Sequence, residues 1–476
     1  MVAAPPSISG TLLETAQNAA GGKAGKPEQA ALAARPAVEA DNGTLEILIG
    51  DRIVDVTNYI KKHPGGRVLR FMAGTDGTDA FAQFHHRSKR AATTLARLPQ
   101  REPQDRAELD RFRNVGNQAL LADIRALESD LEKEGYFEPS PGHAVYRVAE
   151  IIFLHALGAW VLAQVPSGNG GLMQALTGCL VLAAALVMGI AQGRCGWLQH
   201  EGGHYSLTGS MKVDLRLQQC IYGVGCGMAG SWWRNQHNKH HATPQKVAHD
   251  VDLDTLPLVA FHSGAVTDTK IGRKLVKAWN GHWASLWLKN QAYLFSPIIC
   301  GLVAFFWQLY LHPRHALRTG NTLELFWMGL RYVVFYSGLM GGLGWSFTGA
   351  FGFYVLYTQI AASYIFTNFA VSHTHLPVVG KEEHRNWAEY AAEHTMNCES
   401  HPLTNWWMAY LNFQIEHHLW PQMPQFRFPE VAPRVRKLFE RHGQKYQVLP
   451  YWDAIRITLR NLDSVAHEAI ELSSLS

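Results

Sequence analysis

The residues in this 476-residue sequence that could do chemistry are mostly histidines. The stretch QHNKHH places His237, His240 and His241 close together, and on a helix offsets of three and four put side chains on one face. Two further runs share that spacing: His200 and His204 in HEGGH, and Gln414, His417 and His418 in QIEHH. A lone histidine is commonly a surface or satisfied core residue; three clusters at helical spacing predict imidazoles that converge on metal. Seven histidines with Gln414 as a further contact exceed the four ligands of tetrahedral zinc. Two irons with five or six positions each absorb them and leave room for oxygen, so these residues are the catalytic as well as the metal-ligating candidates. His373 in VSHTH is a further candidate ligand, with His375 as its competitor.

The elements that position such clusters must suit an apolar setting. Hydrophobic residues make up 47% and charged residues 17% of the chain, against about 25% charged in soluble domains, which predicts a membrane protein. A mean hydropathy of −0.11 demands sizeable polar parts as well. With a net charge of +4 and scattered basic residues, nothing supports nucleic acid binding. The six cysteines include no CxxC pair and do not read as a disulfide framework. Residues 1–40, rich in Ala, Gly, Pro and Ser, hold no apolar run after Met1 and are expected to be a disordered tail rather than a secretory signal. The sequon Asn42–Gly43–Thr44 is read as a chance match.

Val148–Val165 and Leu172–Ala191 are long enough to span about 30 Å of hydrocarbon as a hairpin, which brings His200 just beyond the bilayer. Leu217–Trp233 reads as a half-membrane or interfacial piece. Its GxGxxG run, Gly225, Gly227 and Gly230, lacks the βαβ setting of a dinucleotide site. The acidic run from Asp250 to Asp254 begins like a calcium loop, but Thr255 and Phe261 stand where glycine and glutamate are needed. It is read as a surface turn, with a role as acceptor for a nearby histidine as the alternative. Between the second and third clusters lie Ala292–Leu311, Leu325–Trp345 and Phe351–Phe369. An odd number of crossings would put the clusters on opposite sides, so Ala292–Leu311, with Pro297, is expected to be interfacial or re-entrant and the other two to form a second hairpin.

Near the amino terminus, GDRIVDVTNYIKKHPGG followed by GTDGTDAFAQFHH resembles the haem-binding core of cytochrome b5. That resemblance implies haem b with His63 as one axial ligand and His85 as the other, His86 being the less favoured neighbour. Two histidine ligands suit electron transfer, since no axial position is left for oxygen. Many members carry a tryptophan near the first strand, where this chain has Leu45 and Ile47. Residues 103–143 follow as a helical linker with Leu109, Phe112, Leu120, Ile124, Leu127 and Leu131 at roughly helical spacing, either lying along the next domain or serving as a solvated spacer.

The set HxxxH, HxxHH and QxxHH behind such a domain closely resembles the front-end membrane fatty acyl desaturases. The flanks SWWRNQHNKHHATPQ, HDVDLDTLP and NFQIEHHLWP agree, and the glutamine of the third box is the most specific mark. The resemblance implies a multi-domain fold: a small α+β haem domain at 41–102, the linker, and an all-α integral membrane desaturase domain at 144–476. About four transmembrane helices and a cytosolic di-iron cap are expected. It further implies two non-haem irons, molecular oxygen, electrons from NADH-cytochrome b5 reductase, membrane lipids, and a polyunsaturated acyl-CoA or phospholipid substrate in the endoplasmic reticulum membrane. The new cis double bond would enter between an existing one and the carboxyl end, with the flanks favouring Δ5 on C20 chains and the family likeness favouring acyl-CoA as carrier. The headgroup is expected near Arg234, Lys239 and Lys246. The alternatives are a Δ6 enzyme on C18 chains, a b5-fused sphingolipid desaturase or fatty acid hydroxylase, and a membrane-anchored haem electron carrier.

Overall fold

The computed structural model describes residues 43–113, 116–166, 171–253, 255–267, 272, 282–380 and 383–474. The expected tail at 1–40, the sequon's Asn42 and Asp254 lie outside them.

The first lobe is built on β1 (Glu46–Ile49) and β2 (Arg52–Asp55), antiparallel with Ile47 opposite Val54. Gly50 makes the tight reversal at φ +64°, a conformation that glycine adopts without steric cost. One face of this ribbon buries Ile47, Val54 and Val56 against Leu69 and Met72. Helix α1 (Thr78–His85) follows, and β3 (Gln100–Arg101) closes the sheet on β2. The lobe does not stop at β3, because Arg101 pairs with both Glu46 at 2.9 Å and Glu108 at 2.8 Å.

The linker is a seam rather than a spacer. Helix α2 (Gln118–Lys133) starts on the side chain of Asn117, which accepts from the Leu120 amide, a favoured N-cap. Its apolar stripe, Leu120, Leu121, Ile124 and Leu131, is buried in one core with Val431 and Phe439. Its polar face turns to the first lobe: Arg125 grips Asp79 at 2.6 and 2.7 Å, and Gln83 donates to Glu128 at 2.6 Å.

Helix α3 (Pro141–Ala163) is capped by Ser140 with proline in the first turn, where its missing N–H costs nothing. It forms a hairpin with α4 (Gly171–Gly203). At 1.5 Å per residue α4 extends about 50 Å, well beyond the roughly 30 Å of a bilayer core, so its last turns carry His200 out of the hydrocarbon. Phe153, Trp160, Leu182 and Leu186 on this hairpin are exposed, a pattern that water penalises and lipid satisfies. Leu217–Trp233 folds as α5 (Met211–Cys226) and the start of α6 (Gly230–Ala242), joined at Gly227 with φ +70°.

Ala292–Leu311, expected to be interfacial, belongs to a continuous helix, α7 (Gln291–Thr319). Together with Pro141–Ala163 and Gln174–Gly203 it is one of three helices among the described residues long and apolar enough to cross a membrane. Pro297 does not break it, because the π-helical turn Phe295–Ile299 absorbs the lost hydrogen bond. Both ends of α7 are nevertheless tied to distant parts of the chain. Gln291 donates to the carbonyls of Ala260 and Leu462 at 2.9 and 2.7 Å, and His312 Nδ1 accepts from the Ala229 amide, just before α6, at 2.8 Å. The second expected hairpin is α8 (Thr322–Tyr336), extended by a π-helical segment Ser337–Gly342, and α9 (Phe347–Ala370). These pack through Tyr336, Phe353, Tyr354 and Tyr357, but neither combines the length and apolar composition of those three helices, so two of the four expected crossings coincide with them.

The cap comprises α10 (Trp387–His394), α11 (Gln414–Leu419), α12 (Phe428–Arg441) and α13 (Tyr451–Ser474). It is not purely helical, since β4 (Asn397–Cys398) pairs in parallel with β5 (Val448–Leu449).

Candidate di-iron and haem sites

Three helices deliver the histidine clusters to one place. His200 lies in the last turn of α4 with His204 just beyond it; His237, His240 and His241 sit on α6, and Gln414, His417 and His418 on α11. His373 follows the end of α9. The imidazoles sort into two groups, each with ligand atoms within 4.8 Å of one another: His200, His204, His237, His241 and His417 in the first, and His240, His373 and His418 in the second. Clusters more than two hundred residues apart thus share one side of the helical body.

The ring nitrogens fit metal. His237 Nε2 lies 3.0 Å from Nε2 of both His200 and His241, and one proton cannot serve both contacts. Both nitrogens of His417 and of His418, His204 Nε2 and His241 Nδ1 are buried without a hydrogen-bond partner, an arrangement native proteins avoid unless something else satisfies them. Burial and neighbouring imidazoles hold His237, His241, His417 and His418 well below the ordinary histidine range. Burial with His240 nearby lowers His373 to about 3. Neutral imidazole is the form that binds metal.

The outward nitrogens are held from behind, which fixes tautomer and aim. His240 Nδ1 donates to Asp250 at 2.9 Å, and His373 Nδ1 to the His394 carbonyl at 3.1 Å. Burial opposes charge on His240, yet Asp250 and Asp252 outweigh it and push the ring up to about 9. Asp250, read from sequence as a surface turn, is 2% exposed. The turn places it ten residues after His240 and folds back under α6, a closure that composition alone does not reveal. His200 Nδ1 donates to the Gln425 side-chain oxygen at 3.0 Å, with the amide nitrogen donating to Glu201 at 3.1 Å and to the Ala409 carbonyl at 2.8 Å. Sequence reasoning missed Gln425 and Glu201; no spacing rule connects them to the boxes.

Gln414 borders the smaller group and hydrogen-bonds His373. His375 turns away, its Nε2 lying 3.1 Å from Met396 Sδ, which leaves His373 as the member of that pair within the site. A cavity of about 680 Å³ opens from His237, His240 and His373 and continues along Val303, Trp307 and Phe366. The basic residues expected at a headgroup form no open patch. Arg234 is engaged by Gln218, Lys239 Nζ by Gln236 Oε1 at 3.1 Å, and Lys246 is buried.

In the first lobe the rings of His63 and His85 lie with centroids 6.1 Å apart and planes inclined by 66°. Two imidazole–metal bonds of about 2 Å each and two ring half-widths account for such a gap, so the pair fits haem. His85 Nδ1 donates to the Phe81 carbonyl at 3.0 Å, which leaves Nε2 as the nitrogen for a metal. His86 instead faces Glu132 at 3.3 Å. Gly65 is required by close approach, because a Cβ there would lie 2.9 Å from His63 Cε1. The lobe rests on the third box: Phe84 meets Trp387 edge-on at 5.9 Å, Trp387 Nε1 donates to the Leu419 carbonyl at 3.0 Å, and Gln422 donates to the Gln83 carbonyl.

A histidine pair suited to haem in one lobe, and two histidine groups suited to iron against an apolar cavity in the other, are what an oxygen-dependent membrane oxidoreductase acting on apolar chains requires. Residues 176–450 match the fatty acid desaturase family and residues 37–125 the cytochrome b5-like heme/steroid binding domain. The chain belongs to the front-end fatty acid desaturases, with haem in its b5-like domain and a non-haem di-iron centre among its clustered histidines. It is 51% identical to an acyl-lipid (8-3)-desaturase of Rebecca salina, over 89% of this chain and 92% of the relative. A protein of the same name from Thraustochytrium sp is 45% identical over 93% and 98%, and fatty acid desaturase 3 of Homo sapiens is 29% identical over 87% and 88%.

Proposed function

We propose that this desaturase places a cis double bond at carbon 5 of a C20 polyunsaturated acyl chain. The observation that carries the chemistry is the pair of histidine groups at the mouth of an apolar cavity. The iron ligands are taken to be His200, His204, His237, His241 and His417 for one ion and His240, His373 and His418, with Gln414 beside them, for the other. Methylene hydrogens are not acidic, so oxygen-activating iron supplies the oxidising power that acid–base groups cannot. The cavity wall orients the chain and excludes water.

In this reading His63 and His85 would hold the haem, which would supply one electron at a time and be re-reduced by NADH-cytochrome b5 reductase at the cytosolic face of the endoplasmic reticulum. Covalent fusion keeps the electron donor at high effective concentration. The numerals in the names of the (8-3) relatives are consistent with carbon 5, and the words acyl-lipid in those names favour a lipid-borne chain over acyl-CoA.

Yeast expressing the chain and fed C18, C20 and C22 polyunsaturated acids provides the test. A new double bond at carbon 5 of C20 acids is expected. A bond at carbon 6 of C18 acids would refute the regiochemistry, and a hydroxylated product would refute desaturation.

A further inference from the structure

Arg331, on α8, is 5% exposed in the apolar part of the molecule. A cation so placed is costly and usually functional. Its guanidinium donates to the carbonyls of Val224 and Gly225, to the Tyr357 hydroxyl at 2.8 Å and to the side-chain oxygen of Gln192. None of these partners is a carboxylate. It also lies over the Tyr354 ring at 5.6 Å, so several elements lock it in place.

Arginine has only donors, which fixes the Gln192 amide. The oxygen must face Arg331, so the NH2 group must face the other way. Gln192 lines the cavity together with Tyr222, Cys226 and Trp307, whereas Arg331 is not among the lining residues, so the side of the amide turned from Arg331 is the one available to the cavity. Gln192 and His200 are eight residues apart on α4, about 12 Å along the axis. The amide therefore stands well past the histidines, where the methyl-side half of a chain would lie.

We infer that the Gln192 amide, held by Arg331, is a specificity-determining donor that favours acyl chains carrying a cis double bond at its depth. An alkene offers a π face to an N–H donor, whereas a saturated segment leaves the amide hydrogens unpaired in an apolar wall. Arg331 is the positioning residue. The inference rests on the acyl-chain reading of the cavity and extends it to a preference among chains of one length.

Two C20 acids that differ only in one methyl-side double bond, supplied as an equal mixture to membranes containing the full-length protein, give a product ratio independent of total rate. The native protein should favour the more unsaturated acid. Gln192→Leu should lower the ratio by about threefold, the scale of a weak N–H···π contact. Gln192→Glu, which keeps an oxygen toward Arg331 but turns an acceptor into the cavity, should lower it at least as far, and Arg331→Met should act in the same direction. Shifts in thermal midpoint on adding each acid to purified protein read the same preference without turnover. An unchanged ratio and unchanged shifts in both Gln192 variants would overturn the inference, as would a native protein with no preference in either measurement. Absence of any desaturated product with preferential stabilisation intact would count against the proposed reaction while supporting the role of Gln192.

Discussion

The Nδ1 of His240 lies 2.9 Å from a carboxylate oxygen of Asp250, and that oxygen also accepts from the Gln245 amide at 2.7 Å. The turn after α6 is thereby folded back beneath the histidine it supports. A buried acceptor of this kind fixes ring orientation and raises ligand basicity, and it serves the group with fewer histidines.

Asp250→Asn should therefore weaken iron at the His240, His373 and His418 group by about 10–100-fold. Non-haem iron per chain, measured after dialysis against a chelator, is expected to fall toward half with the haem spectrum unchanged. Full retention of iron would show that the carboxylate does not govern the site.

Gln425→Leu addresses the other group. Its oxygen accepts from His200 Nδ1 and its nitrogen donates to Glu201 and Ala409, so the variant leaves the ring free to turn and strips a partner from a buried carboxylate. Loss of iron from the five-histidine group on a similar 10–100-fold scale is expected. The double variant with Asp250→Asn should retain little of either ion.

His63→Ala removes one of the two paired imidazoles of the first lobe. Haem absorbance should fall to near zero and turnover with it, while non-haem iron stays bound. Activity retained in the absence of added cytochrome b5 would contradict an electron route through this lobe.

Burial raises the Glu128 carboxyl to about 7, against a lowering hydrogen bond from Gln83. An acid whose folded pKa exceeds its unfolded value holds its proton more tightly when folded. Its contribution is complete below about pH 4.5, declines as pH rises toward 7, and becomes a constant penalty above that. Glu128→Gln, which keeps a partner for Gln83 without the charge, should raise the thermal midpoint at pH 8 by a few degrees and change little at pH 5. Equal effects at the two pH values would assign the shift to something other than ionisation.

The histidine boxes and the HPGG segment were legible because their information is local. Imidazoles three and four residues apart share a helix face whatever the fold, and a glycine pressed against His63 is required by the loop itself. The sequence also carried the haem lobe ahead of the helical body, and the parity rule that brings the clusters to one side. The partition into five and three histidines depends on tertiary structure, because it follows from where α4, α6 and α11 cross. The burial of Asp250, the support from Gln425 and the clasp of Arg331 on Gln192 pair residues ten to more than two hundred positions apart, and no local pattern encodes such meetings. Ala292–Leu311 shows the same limit from the other direction. Apolar length and Pro297 described the segment, but a π-helical turn kept it continuous, and contacts at Gln291 and His312 with distant parts of the chain decided where its ends are held.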